Sequence, residues 1–435
     1  MSEPLSRGVA LLNLGCRVNR VELDRMALEL ERRGFVICDE DVASVVVVNT
    51  CAVTGEAEAK TRQAIRRAAA LPQAPVVVAT GCVASLFADE LEGLAENVVV
   101  EASKDRVPQV VAERLGVAVE DASTKTDGVL VAERALTPTP TGRTRPGVKV
   151  QDGCDNRCTF CIVWKARGPS RSVAPEEVVA GVRAAVERGA PEVVLTGINL
   201  GCYCACDKDG HELHLPQLVE LVLESTDVGR LRLSSIEPPD VTRELCQVMA
   251  TSDGRVAPFL HICLQSGCDA TLSRMGRVYD SARFRQVVET AREELPDVAL
   301  GTDLIVGFPG ETDADHAQSL AFCREMRFSR MHVFRYSRRP GTPAAVMESQ
   351  VEAPIAAARS REARALSREL RLAEAHLRVG AEELVVVQSP DKGVSGGLFD
   401  VELAQSETPG SLVRVRIADV REDATLVAEG SKAAV

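Results

Sequence analysis

The chain has 435 residues, 45% hydrophobic and 26% charged, the balance of a globular protein of roughly two to four domains. Its net charge of −12 repels a polyanion, so any nucleic-acid contact needs a local basic patch. Aromatic residues make up only 3%, which argues against a general single-strand binder that stacks bases on rings.

The N-terminus MSEPLSRG lacks the basic-then-apolar pattern of a signal peptide, and the longest apolar runs, such as Val45 to Val48, are far too short for a bilayer. A cytoplasmic location without membrane contact is expected. In a reducing compartment the 14 cysteines call for ligation, redox chemistry or burial rather than disulfides.

From residue 6 to 115, strand-like runs alternate with helical stretches: GVALLNLG then ELDRMALELERRG, SVVVVNT then EAEAKTRQAIRRAAA, APVVVAT then ASLFADELEGL. This predicts a parallel α/β domain. Residues 116–143 lose periodicity among Thr, Pro and Asp and read as a linker. Between 144 and 368, GVKVQDG, EVVLTGI, RLRLSSIE, FLHICLQ, VALGTDLIVGF and RMHVFRY are separated by helical segments. Six such units predict an incomplete (β/α)6 barrel with a trailing helix. Residues 369–435 carry ELVVVQS, GLFDVELA and SLVRVRIADV between turn residues, a small antiparallel β domain.

Cys154, Cys158 and Cys161 follow the first barrel strand, which places their loop at the C-terminal mouth of a barrel, where active sites assemble. Thiolates are soft ligands for iron–sulfur clusters or zinc, but structural zinc wants four ligands. Three cysteines leave one iron open, able to bind the amino and carboxylate groups of S-adenosylmethionine (SAM) and deliver an electron that breaks a carbon–sulfur bond. The C-x3-C-x2-C spacing with Phe160 before the last cysteine resembles the radical SAM superfamily. Thr196, Gly197 and Asn199, then Ser235 and Glu237, Gln265, and Gly307 all lie at strand ends and are candidate contacts for a nucleoside-sized ligand. Singly each is weak: a turn explains Gly307, and Glu237 before two prolines reads equally as a helix cap.

Cys16, Cys51 and Cys82 each end one of the first three strands. In a parallel sheet those ends share one edge, so the thiolates converge without a short motif. Burial explains any one of them; the three together favour a second cluster with an open iron.

LGCRVNRVE, NTCAVTGEAEAKTRQAIRRA, QDGCDNRCTFCIVWKARGPSRS, EVVLTGINLG, LRLSSIEP, LQSG, TDLIVGFPGE and HVFRYSRRPGTPA together resemble the radical SAM methylthiotransferase family over nearly the whole chain. The motifs most resemble the branch acting on N6-threonylcarbamoyladenosine at tRNA position 37. The resemblance implies an N-terminal cluster domain, a radical barrel and a C-terminal TRAM domain. It also implies two [4Fe-4S] clusters, on Cys16, Cys51 and Cys82 and on Cys154, Cys158 and Cys161. One SAM would give the radical that abstracts hydrogen from C2 of the adenosine, and a second the methyl group, with electrons from flavodoxin or ferredoxin. A monomer is expected. Two positions depart from relatives: Arg335 and Cys263 stand where proline is usual.

Arg143, Arg145, Lys149, Arg157, Lys165, Arg167 and Arg171 concentrate positive charge around the second cysteine set, and Arg62, Arg66 and Arg67 add more after Cys51. They are candidate contacts to a tRNA anticodon loop whose nucleotide is splayed toward the radical. From Ala381 to Val435, ten acidic residues stand against five basic ones, a balance unfavourable to phosphates that keeps a ribosomal protein substrate open. Methylthiolation of isopentenyladenosine in tRNA is a further reading, as is, from a different class, a non-catalytic zinc-dependent RNA-binding protein. Cys202, Cys204 and Cys206 with His211 and His214 form a separate group able to satisfy a soft metal.

Overall fold

The computed structural model describes residues 5–117 and 143–433, so nearly all of the expected linker lies outside the described residues. The chain divides into two compact units. The first takes Met1–Arg143, Gly153–Asp155 and Cys161–Pro169; the second takes Thr144–Asp152, Asn156–Phe160 and Ser170–Val435.

In the first unit, β1 (Leu5–Asn13), β2 (Val36–Ile37), β3 (Ala43–Thr50), β4 (Val76–Gly81) and β5 (Val98–Val100) form a parallel sheet in the order β2–β1–β3–β4–β5. Central β3 reads as an unbroken valine run because both of its faces are covered. Val46 and Val48 enter one apolar cluster, Val45 and Val47 the other, as the two-residue period of a strand dictates. Helix α1 (Arg17–Arg32) follows β1, α2 (Gly55–Ala69) follows β3 and α3 (Cys82–Leu86) follows β4. Thr54 caps α2 by accepting a 3.1 Å hydrogen bond from the Ala57 amide, an arrangement whose loss costs about 1 kcal/mol.

The second unit contains six parallel barrel strands in chain order. Gly147–Lys149, Glu192–Thr196 and Arg230–Leu233 form one sheet; Ser235–Ile236, Phe259–Ile262, Ala299–Val306 and Arg330–Arg335 form the next. The third strand breaks at Ser234, and its two halves carry the sheet from one group to the other. Helices between the strands bury Val178, Val182, Leu218, Val222, Leu245, Phe284 and Phe322 against the outer face. This is the expected incomplete barrel. Helix Ala353–His376 then packs along the last strand.

The C-terminal strands Glu382–Ser389, Lys392–Ser395, Asp400–Glu402, Leu412–Val420 and Leu426–Ala433 close into a small barrel. Its pairings are antiparallel except that of Val401 with Leu426, which is parallel and completes the closure. Phe259 and Ala299, at the starts of their strands, belong to its core. Arg232 donates to the carbonyls of Gly396 at 2.8 Å and Ser395 at 3.2 Å, and Arg230 to that of Leu384. Both arginines and Glu192, their shared carboxylate partner, are fully buried. The small barrel therefore covers the N-terminal ends of the large barrel's strands, the end remote from Glu237, Gln265 and Gly307.

Among the described residues no helix is long and apolar enough to cross a membrane.

Candidate cluster and radical site

Parallel pairing brings Asn13, Asn49 and Thr50 of β1 and β3, and Gly81 of β4, to one edge of the first sheet. Cys16, Cys51 and Cys82 sit just beyond it. Gly81 has φ +94°, and a Cβ there would lie 2.5 Å from both Asn49 Oδ1 and Thr50 O. Only glycine allows β4 to end this close to β3. Thr50 Oγ1 then accepts from the amides of Val83 at 3.0 Å and Ala84 at 3.2 Å, fixing the start of α3 beside Cys51.

Asn19 ties the third corner. Its Nδ2 donates to Thr50 O at 2.7 Å and Asn49 Oδ1 at 3.2 Å, and its Oδ1 accepts from the Cys16 thiol at 3.4 Å. Burial pushes the Cys51 thiol up to about 11, and the nearness of Cys16 and Cys82 adds to the rise. Burial also raises Cys16, against the opposing field of Arg167. The three sulfurs thus lie within electrostatic reach of one another. Buried thiols of this kind are poor free nucleophiles but become thiolates on a metal. An all-sulfur donor set at a half-buried sheet edge fits an iron–sulfur cluster.

Arg167, expected on an RNA face, is instead buried: its side chain is 3% exposed, donating to Glu22 Oε1 at 2.9 Å and Asn19 Oδ1 at 2.6 Å. Lys104 meets the same Glu22. A guanidinium enclosed by these partners cannot reach a phosphate; it acts as a fixed cation near Cys16.

The second cysteine loop is anchored piecewise. In the first unit the Cys154 amide donates to Gly168 O at 3.1 Å, and the Val163 amide to the Cys161 sulfur at 3.4 Å. Gly153 has φ +74°, and a Cβ there would meet Pro169 O at 1.9 Å, so the turn before Cys154 requires glycine. In the second unit Cys158 is buried, and Arg277 Nη1 donates to its sulfur at 3.0 Å. Thr159 is held by Met275 O at 2.9 Å and Arg274 O at 2.9 Å, while the Phe160 ring meets Phe308 edge-on at 6.4 Å. Sulfur donors of which two, Cys158 and Cys161, accept N–H···S bonds have the chemistry of the expected cluster.

The strand-end candidates fall into two groups. The amide of buried Asn199 donates to Gln151 Oε1 at 2.8 Å, while its own Oδ1 is buried with no hydrogen-bond partner among the described residues. Thr196 is buried, Gly197 packs against Gln151, and Ser235 lies near the Cys263 thiol, which burial holds well above its usual range. Glu237 is ion-paired to Arg277, and its side chain makes no cap hydrogen bond to the short helix that follows. Gln265 and Gly307 serve the backbone. Gln265 bridges Asp303 O and the Ile305 amide at 2.9 Å each, and a Cβ on Gly307 would strike that of Ala356 at 2.6 Å. Further into the barrel, His261 Nε2 lies 3.1 Å from Asp303 Oδ1.

The remaining cations divide likewise. Arg145 reaches the buried Glu192 at 3.5 Å and Lys149 reaches Asp152 at 3.0 Å, so both have internal duties. Arg143, Arg157, Lys165 and Arg171 are exposed. Arg62 bridges Glu58 and Glu90, Arg67 pairs with Glu40, and Arg66 is exposed. Asn19 and Gln151 lie within quoted motifs but no spacing singles them out there, and Arg277 lies in none, so all three escape a reading of the sequence.

Residues 148–323 match the model of the Radical SAM superfamily, and residues 8–101 that of Uncharacterized protein family UPF0004. The threonylcarbamoyladenosine tRNA methylthiotransferase MtaB of Bacillus subtilis is 38% identical, over 79% of this chain and 76% of that protein. The ribosomal protein uS12 methylthiotransferase RimO of Desulforudis audaxviator is 34% identical over 94% of each. Among solved structures, the radical SAM methyltransferase TsrM from Kitasatospora setae, with cobalamin and a [4Fe-4S] cluster bound, superposes with a TM-score of 0.55 at 16% identity, covering 79% of this chain and 77% of that one; it supports the fold alone. Identity on this scale over most of the chain establishes that it belongs to the radical SAM methylthiotransferase family, enzymes that use SAM and a [4Fe-4S] cluster.

Proposed function

We propose that the protein methylthiolates C2 of N6-threonylcarbamoyladenosine at position 37 of tRNA, using two [4Fe-4S] clusters. The observation that carries this reading is the convergence of Cys16, Cys51 and Cys82 at one sheet edge, an all-sulfur site additional to the Cys154, Cys158 and Cys161 loop. Radical formation needs one cluster only; a second has a use where sulfur is transferred. The similarity to proteins named for threonylcarbamoyladenosine supports the substrate.

When bound, the barrel cluster supplies reductive cleavage of SAM and the first-unit cluster supplies sulfur. The chain's own residues prepare these sites. Asn199 and Ser235 offer polar groups at the strand ends for the nucleoside part of SAM, and Arg277 and Glu237 set the charge beside Cys158. Arg143, Arg157, Lys165 and Arg171 offer cations to the anticodon-loop backbone. A flavodoxin or ferredoxin in the cytoplasm is the electron donor, and the enzyme works as a monomer.

Mass spectrometry of tRNA nucleosides from a strain lacking the gene tests the substrate. The 2-methylthio derivative of threonylcarbamoyladenosine disappears and returns on complementation. Its persistence at normal level, with loss of methylthiolation on a ribosomal protein instead, transfers the assignment to the protein substrate that the acidic C-terminal barrel would suit.

A further inference from the structure

The loop after the second barrel strand carries a feature outside the two cysteine sets described above. Cys204–Cys206 and Glu212–His214 form an antiparallel hairpin in which Cys204 faces His214, Ala205 faces Leu213 and Cys206 faces Glu212. Strand side chains alternate between faces. Ala205 packs against the apolar core of the barrel, so Cys204, Cys206, Glu212 and His214 all stand on the opposite, exposed face. Directly opposed Cβ atoms in such a pair are only about 4.5–5.5 Å apart.

Three of the four ligand atoms are already gathered. Cys204 Sγ, a Glu212 carboxylate oxygen and a His214 ring nitrogen all lie within 4.8 Å of one another, and His214 Nε2 is 3.1 Å from Glu212 Oε1. Zinc sits about 2.3 Å from thiolate sulfur and about 2.0–2.2 Å from imidazole nitrogen or carboxylate oxygen, so rotamer adjustments on exposed side chains suffice to close a site. Cys206 stands beside Glu212 on the same face as a fourth donor. The hairpin is held independently of any metal. Asp207 Oδ1 accepts from the amides of Asp209 and His211 at 2.9 Å each, and the Cys204 amide donates to Ser172 Oγ at 2.9 Å. With its carboxylate engaged in the turn, Asp207 is not a donor, and His211, bonded to it at 3.2 Å, is set aside as well.

We propose that this hairpin binds a zinc ion through Cys204, Cys206, His214 and Glu212. Two thiolates and an imidazole select a soft or borderline metal over magnesium or calcium, and four protein donors make the site closed and structural rather than catalytic. Its effect is to lock the hairpin on the second-strand loop.

The test uses the full-length holoenzyme, reconstituted with iron and sulfide so that the cluster cysteines are filled, then equilibrated with zinc chloride and dialysed. Elemental analysis should find about one zinc ion per chain. Cys204→Ser, Cys206→Ser and His214→Gln should each lose most of it with iron content unchanged, and Cys202→Ser should keep it. No stoichiometric zinc in the wild-type protein overturns the proposal. So does zinc that persists when Cys204, Cys206 and His214 are replaced together, which would place it in cluster sites, and so does zinc lost from Cys202→Ser alone. Because the replaced side chains are exposed, a thermal unfolding midpoint matching that of zinc-free wild type verifies that each variant is folded.

Discussion

Arg277 Nη1 donates to the Cys158 sulfur at 3.0 Å, and the far side of the same guanidinium holds Glu237. Hydrogen bonds and positive charge at a ligating sulfur stabilise the reduced, more negative cluster. Arg277→Gln should therefore lower the midpoint potential of the barrel cluster. Glu237→Gln, which keeps the arginine and removes the anion, should raise it. An anaerobic redox titration followed by electron paramagnetic resonance measures both. Equal midpoints in the two variants and the wild type, at equal iron content, would show that this contact does not tune the cluster.

Glu192 is the hinge of the docking between the two barrels. It is fully buried, and although burial opposes its ionisation, Arg232, Arg230 and Arg145 hold its carboxyl well below the usual carboxylate range. Removing one member of a buried ion pair strands its partners, typically at about 3–5 kcal/mol. Glu192→Ala should show a loss of that order in denaturant unfolding. The depressed pKa also fixes the sign of the pH effect. The contribution is complete above the unfolded-state value of about 4.3 and declines as pH falls toward the folded value. The stability difference between wild type and Glu192→Ala should thus be flat near neutrality and shrink below that point. A difference independent of pH down to the acid limit of folding would contradict an ionised Glu192.

The two cysteine sets should separate by chemistry. Alanine at Cys154, Cys158 and Cys161 should abolish formation of 5′-deoxyadenosine, while alanine at Cys16, Cys51 and Cys82 should leave it and abolish methylthiolation. Iron should fall from about eight per chain to about four in either triple variant. Full iron in the first-unit variant would mean that Cys16, Cys51 and Cys82 are simply buried thiols.

Much of this architecture was legible because burial leaves a period in the sequence. The valine runs of β3 and the six barrel segments announce strands covered on both faces, and parallel pairing alone puts Cys16, Cys51 and Cys82 on one edge. Charge proved less readable. Arg167 and Arg145 look like surface cations beside a cysteine loop, yet their carboxylate partners, Glu22 and Glu192, lie 145 and 47 residues away. No local pattern tells a buried cation from an exposed one. Arg277 stands in the turn MGRVYD without periodic neighbours, so only the three-dimensional structure brings it to Cys158. The last strand, Leu426–Ala433, escapes detection because Gly430, at φ +65°, and its polar neighbours interrupt the alternation that marks the other strands.

The surviving candidates for RNA contact can be tested by salt. Arg157 and Lys165 are exposed, and Arg171 keeps 56% of its side chain exposed although it lies 3.9 Å from Asp152. Arg167 is buried, and Arg145 is half-buried against Glu192. Each cation that neutralises a phosphate releases a counterion and adds roughly 0.7 to the slope of log K against log salt on single-stranded RNA. Replacing Arg157, Lys165 and Arg171 together by glutamine should lower that slope by roughly 2, with weaker tRNA binding at low salt and unchanged SAM cleavage without tRNA. Binding isotherms across a salt series give the slope directly. A triple variant that keeps the wild-type slope would move the RNA face elsewhere, with exposed Arg66 and Arg143 next to be replaced.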